Sequence, residues 1–230
     1  MKNFETIVFD LDGTITQDVS TWNTVHKWLG VEDQANRYLK RVERRAQEGK
    51  KVNAIDWAKN DIELWKGYHI KQIVAPLYPI KFFNNAVKSI RMLRDNFGYD
   101  LYIISGTFNT YMEAVLNEID NDGNGMYIKD WMCHIIEKDN EGFVIGVEED
   151  PNMENKSVGI KHLADIYGFD LDRTIAIGNG SNDIPMFNEV GMAIGFNGYS
   201  KRIREAVDIN INSHDFFDIV RYLIGWRYYG

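Results

Sequence analysis

Residues 4–9, FETIVF, are a short apolar run that breaks off at Asp10-Leu11-Asp12. Such a run predicts a buried strand. Apolar positions then take on helical spacing. Ser20 and Gly30 bracket a first predicted helix, Glu32 and Gly49 a second, and Asn53 and Gly67 a third. In the third, Asn53 and Asp56 make a weak capping box, and Ile55, Ala58, Ile62 and Trp65 recur at three- and four-residue spacing, so one face is buried. Beyond Pro76 and Pro79 strands and helices alternate. A helix is expected over Asn85–Asn96, a strand over 100–105 and a helix over 108–118. MCHIIEK and FVIGVEE flank Asp139-Asn140-Glu141-Gly142 and read as a hairpin. A helix over 157–167, strands over 173–178, 192–196 and 208–211, and helices near 200–206 and 215–224 complete the pattern.

This alternation of apolar strands and helices predicts an α/β fold, a Rossmann-like, mostly parallel sheet with helices on both faces. The helical block of 15–78 interrupts it just after the first strand. The expected organisation is a core of 1–14 plus 79–230 and an inserted helical cap of 15–78. In open sheets of this kind ligands bind beyond the C-terminal strand ends, so chemistry is sought there.

Four segments bring polar groups to that edge. The first strand ends in Asp10-Leu11-Asp12-Gly13-Thr14. Residues two apart on a strand point the same way, so two carboxylates share one side and need a cation or a proton between them. The same residues also read as a turn with a helix cap. A second strand ends in Ser105-Gly106-Thr107, a hydroxyl and free N–H groups suited to a phosphate, or an ordinary cap. Lys156 opens a helix, where a cation opposes the helix dipole. Gly178-Asn179-Gly180-Ser181-Asn182-Asp183 follows another strand, and Asp183 reads as an N-cap, a functional carboxylate, or both.

Composition removes several function classes. The chain has 230 residues, and 26 Lys and Arg against 34 Asp and Glu leave a net charge of −8, which disfavours sequence-independent nucleic-acid binding. No run approaches the ~20 apolar residues of a membrane span. The N-terminus reaches carboxylates by Asp10, unlike a signal peptide. Cys133 is the single cysteine, so no internal disulfide or cysteine zinc site exists, and a free thiol suits a reducing cytoplasm.

The order DxDGT, Ser-Gly-Thr, helix-opening Lys, GNGSND resembles the haloacid dehalogenase superfamily of phosphatases. FDLDGT, IISGT and GNGSNDIPMF are most similar to its phosphoserine phosphatase-like branch. The resemblance implies a Mg²⁺-dependent phosphatase acting on a small phosphorylated metabolite. Asp10 would be the nucleophile and Asp12 the acid and base. Ser105, Lys156, the Gly106 N–H and Asn182 would hold the phosphoryl group. Asp10, the Asp12 carbonyl, Asn179 and, if it approaches, Asp183 would bind the metal. The family loop commonly begins Gly-Asp-Gly, whereas this one begins Gly178-Asn179-Gly180. An uncharged Asn179 predicts weaker Mg²⁺ binding, and a looser site would admit Mn²⁺ or Co²⁺. Phosphoryl transfer to a small alcohol, and a binding or regulatory protein on the same scaffold, remain as alternatives.

Other features carry less. Trp22, Trp28, Trp57 and Trp65 are expected to form the core of the cap, with one of them lining a pocket as the alternative. Lys40, Arg41, Arg44 and Arg45, with Lys50 and Lys51 beyond, read as a solvated helix face or a source of one Arg for a substrate anion. The Ser-Leu-Arg setting usual in serine-phosphate enzymes is absent. Asp120–Gly125 resembles half a calcium loop, but Trp131 stands at the last ligand position, so a polar loop is expected. His134 reads as structural. The tail Trp226-Arg227-Tyr228-Tyr229 packs on the core or on a second copy.

Overall fold

A computed structural model describes residues 3–49, 54–121, 123, 126–148 and 150–229. Asn53, Lys50, Lys51, Asp122, Asn124 and Gly125, on which a helix cap, part of a basic run and part of the acidic loop were placed, lie outside the described residues.

Six strands form one sheet: β1 (Thr6–Phe9), β2 (Asp100–Phe108), β3 (Asp130–His134), β6 (Thr174–Gly178), β7 (Met192–Phe196) and β8 (Ile209–Ile211). They lie in the order β3-β2-β1-β6-β7-β8, and every pairing is parallel. Alternation sorts their side chains. Ile7, Phe9, Leu101, Ile103, Ile175, Ile177 and Ile194 join one buried cluster, and Val8, Tyr102, Ile104, Ala176 and Ala193 join another. The first cluster takes in α5 (Ala86–Asp95), α6 (Asn109–Asp120) and α10 (Phe217–Tyr229). The second takes in α7 (Lys156–Tyr167), α8 (Ile184–Phe187) and α9 (Lys201–Ala206). Both faces are therefore covered, as apolar parallel strands require.

Between β1 and α5 lie α1 (Thr21–Leu29), α2 (Glu32–Gln47), α3 (Ala54–Glu63) and a short α4 (Ile70–Val74) absent from the sequence pattern. Ser20 caps α1 by accepting from the Asn23 N–H, and Gly30 ends it in the left-handed region. Of the four tryptophans expected as core, Trp22 and Trp65 stack at 4.6 Å, with the edge of Phe108 against both. Trp28 and Trp57 are exposed, which corrects the expectation. Their composition is apolar, but their helix faces turn outward.

MCHIIEK is not one hairpin arm. Met132-Cys133-His134 belongs to β3 and pairs in parallel with β2, and only β4 (Ile136–Lys138) pairs antiparallel with β5 (Val144–Val147). The split has a simple cause. β2 ends at Phe108, whose partner is His134, so the chain beyond has no neighbour in the main sheet. The β4–β5 hairpin then binds the helical segment: the Gly67 N–H donates to the Val144 carbonyl, the Val144 N–H to the Tyr68 carbonyl, and the Ile70 N–H to the Gly142 carbonyl.

Inside the helical segment His26 Nε2 lies 3.7 Å from Asp61 Oδ1, both side chains buried, and neither ring nitrogen has a hydrogen-bond partner. Burial lowers His26 from 6.5 to about 4 and raises Asp61 from 3.8 to about 7. Between those limits the folded pair holds one proton, on Asp61. The unfolded pair also holds one, on His26, so folding moves no net proton. Asp61→Asn breaks that balance. The depressed His26 then contributes stability that is full above its unfolded value of 6.5 and is lost as pH falls toward about 4. Relative to wild type, the variant is expected to be about 2 kcal/mol less stable at pH 5 than at pH 7 by urea denaturation. An unchanged difference between the two pH values would refute the coupling.

Candidate active site

The sheet reverses its order between β1 and β6, the switch point where open α/β sheets bind ligands. Register sets Phe9, Ile103 and Ile177 side by side. Asp10, Ser105 and Asn179 consequently come to nearly the same height on three adjacent strands, Asp10 and Asn179 just past their strand ends and Ser105 within β2.

The loop after β1 turns at Gly13, with φ of 79°. A Cβ there would lie 2.2 Å from Asn179 Nδ2, so the close approach of the β1 and β6 loops requires glycine. Thr14 sits between them. Its hydroxyl is 3.2 Å from Asp10 Oδ2 and 3.4 Å from Asn179 Oδ1. One proton cannot serve both, so two oxygens converge where only one is satisfied.

Ser105-Gly106-Thr107 does not end its strand as expected. It is a bulge in β2, where the register slips between Ile104 and Phe108. The bulge buries the Ser105 and Thr107 side chains and exposes Gly106. The Thr107 N–H donates to Ser105 Oγ at 3.2 Å.

Lys156 is the first residue of α7, which Asn155 caps by accepting from the Ser157 and Val158 N–H groups. Its ammonium turns inward and is buried, donating to Asp10 Oδ1 at 2.5 Å and to Asp183 Oδ1 at 2.6 Å. Burial alone would lower the ammonium. The Asp10 and Asp183 charges and hydrogen bonds outweigh it and raise it above its ordinary value. Asp183 Oδ2 accepts from the Asn179 and Gly180 N–H groups at 2.9 and 2.8 Å, so this carboxylate shapes its own loop. Asn182 lies on the exposed side of that loop.

Burial first, then the Asp183 charge, pushes Asp10 up to about 7 against the pull of Lys156. Asp12 is pushed up to about 6, again chiefly by burial, although Thr21 opposes the shift with two hydrogen bonds. Two carboxyls with raised values thus lie beside a buried ammonium, which sets this cluster apart from a surface ion pair.

Residues 4–191 match the haloacid dehalogenase-like hydrolases. The chain belongs to that family. It is 28% identical over 228 residues to a phosphoserine phosphatase of Methanocaldococcus jannaschii, covering 96% of this chain and 99% of that one. It is 26% identical over 219 residues to phosphoserine phosphatase SerB2 of Mycobacterium tuberculosis, covering 95% of this chain and half of that one. Among solved structures, a phospho-aspartyl intermediate analogue of phosphoserine phosphatase superposes with a TM-score of 0.72 at 26% identity, over 96% of this chain and 99% of the other. A substrate-bound phosphoserine phosphatase gives 0.75 at 24% identity over the same shares of each chain. This haloacid dehalogenase-like hydrolase is an enzyme of the phosphatase kind, similar to the phosphoserine phosphatase branch.

Sequence reasoning assigned no role to Thr14, Thr21 or Thr107, all buried at the site. Thr14 stands in the DGT run and was within reach of a motif argument. Thr107 stands in the Ser-Gly-Thr run in the same way, whereas Thr21 carries no sequence signal, because hydroxyls at helix starts are common. Among the basic residues of α2, Arg44 pairs with Glu48 just past the end of that helix. Arg45 lines a groove of about 610 Å³ with Tyr38, Lys59 and Glu137, which none of the catalytic candidates reaches.

Proposed function

We propose that the protein hydrolyses a small phosphomonoester through an aspartyl-phosphate on Asp10, with phosphoserine the first compound to test. The observation that carries this reading is Asp10 itself, buried between Lys156 and Thr14 with Asp12 two residues on. The similarity to phosphoserine phosphatases over nearly the whole chain supports the substrate class.

An Asp10 oxygen attacks phosphorus as the bond to the alcohol oxygen breaks, and Asp12 gives its proton to that oxygen. Asp12, now a carboxylate, takes a proton from water. The water oxygen attacks phosphorus, the bond to Asp10 breaks, and phosphate leaves. A carboxyl near pH 6 suits both directions. Lys156, the Ser105 hydroxyl, the Gly106 N–H and Asn182 are the proposed donors to the phosphoryl oxygens, where fixed positive groups favour the charge of the transition state.

Among the described residues no group of three His, Cys, Asp or Glu side chains forms a ready metal cluster. The converging oxygens of Asp10 and Asn179 nevertheless fit a hard cation that keeps several waters. Asp10, the Asp12 carbonyl and Asn179 would hold Mg²⁺, with Asp183 behind them, and Mn²⁺ or Co²⁺ as substitutes. When bound, the cation offsets repulsion between carboxylate and phosphate dianion. Asn179→Asp restores a charge here and is expected to lower the half-saturating Mg²⁺ concentration for activity about tenfold. An unchanged metal titration would remove Asn179 from the ligand set.

The test of the function is phosphate release from phosphoserine, phosphoglycolate, sugar phosphates, nucleoside monophosphates and an aryl phosphate, with and without Mg²⁺. Metal-dependent release from one small ester supports the reading. Silence with every ester and metal favours a binding protein, the reading that the uncharged Asn179 motivates. The buried free thiol of Cys133 fits a reducing cytoplasm, and no helix among the described residues is long and apolar enough to cross a membrane.

A further inference from the structure

Asp12 is held on one oxygen only. Its Oδ2 accepts from the Thr21 N–H at 3.2 Å and from the Thr21 hydroxyl at 2.9 Å. Its Oδ1 is buried and has no hydrogen-bond partner. Two donors on Oδ2 make it the accepting oxygen of the carboxyl group. The proton of the neutral acid therefore sits on Oδ1, the atom left free. The Thr21 hydroxyl has a single proton, committed to Asp12, so at 2.8 Å from the Thr107 hydroxyl it must accept. The chain of donation runs Thr107 to Thr21 to Asp12. It fixes the rotor of Thr21 from the β2 bulge, the same bulge that carries Ser105.

Thr21 is also the first residue of α1, in the helical segment that follows β1. Its neighbour Trp22 donates from Nε1 to the Gly106 carbonyl at 2.7 Å. One turn of α1 thus touches both the acid and the phosphate-facing bulge. Removing α1 from the sheet edge would free both oxygens of Asp12 together.

We infer that Thr21 is a positioning residue that fixes which oxygen of Asp12 delivers the proton, so that the seating of α1 arms the acid. This rests on the reading of function above. The acid matters most where the leaving oxygen is a poor one. An alkyl phosphate needs its alkoxide protonated as the bond to phosphorus breaks. A nitrophenyl phosphate does not, because nitrophenolate leaves as the anion. The kcat/KM ratio reports steps up to departure of the leaving group. The kcat value also contains the later attack of water, which needs Asp12 as base whatever the substrate was.

The experiment compares wild type, Thr21→Val and Thr21→Ser on phosphoserine and on p-nitrophenyl phosphate, with Mg²⁺ present and thermal melts recorded for each variant. For Thr21→Val, kcat/KM on phosphoserine is expected to fall about 30-fold, and on p-nitrophenyl phosphate by less than about threefold. A burst of nitrophenolate should precede a slowed steady state. Thr21→Ser keeps the hydroxyl and should recover most of the loss. Equal losses of kcat/KM on both substrates, or a Thr21→Ser no better than Thr21→Val, would overturn the assignment and leave the function standing. Retention of full activity by Thr21→Val would do the same. A wild type inactive on both substrates would sink the reading of function, and this inference with it.

Discussion

Asp10→Asn is expected to abolish phosphate release, by at least about 10⁴-fold, on every ester the wild type accepts. The replacement keeps the size of the side chain and an oxygen that can accept from Thr14, but an amide oxygen is a poor nucleophile. It also leaves Lys156 paired with Asp183, so the buried ammonium keeps one carboxylate partner. The fold should survive, and the thermal midpoint is expected to stay within a few degrees of wild type. Loss of turnover with an intact fold separates chemistry from architecture. Wild-type protein quenched in acid during turnover of ³²P-labelled ester should carry label, and the variant none. A variant retaining more than about a hundredth of wild-type kcat would exclude Asp10 as the nucleophile, because loss of a covalent nucleophile costs far more than that.

Much of this site could be read from the chain because its backbone is regular. The strand β1 is apolar on both faces, so the end of the apolar run marks the sheet edge, and Asp10 and Asp12 follow it directly in the loop beyond Phe9. The loop after β6 is legible for the same reason. What resisted reading lies where tertiary contact overrides local pattern. Ser105-Gly106-Thr107 reads as a strand end or a cap in sequence, and only pairing with β3 makes it a bulge. Lys156 meets Asp10 across 146 residues of chain, and nothing in Glu154-Asn155-Lys156-Ser157 says that the ammonium turns inward. The strand run around His134 divides because its neighbour stops at Phe108, a fact about the partner rather than about the run itself. The exposed Trp28 and the buried Trp65 are chemically alike, and only the packing of their helices tells them apart.

Lys156→Met should cost both stability and turnover, and pH separates the two effects. With the ammonium gone, Asp10 and Asp183 lose the cation between them. Removing one partner of a buried ion pair typically costs about 3–5 kcal/mol, because uncompensated charge remains. In a chain of this size that corresponds to a thermal midpoint lower by roughly 10 °C. The sign of the pH dependence follows from Asp10. Its carboxyl already stands near 7 with the lysine present, against 3.8 unfolded, and rises further without it. A raised carboxyl contributes stability that is full below its unfolded value and is lost as pH rises through the folded one. The deficit of Lys156→Met against wild type should therefore grow as pH rises past about 7, where Asp10 ionises in the wild type and stays protonated in the variant. Turnover should fall about 10³-fold at every pH, since a fixed cation facing the phosphoryl group is lost throughout. Lys156→Arg restores a charge but not the compact ammonium, so it should recover stability more fully than turnover. A stability deficit independent of pH would mean that Lys156 acts by packing alone. Recovery of full turnover by the arginine would mean that charge near Asp10 suffices, without an ammonium placed between two carboxylates.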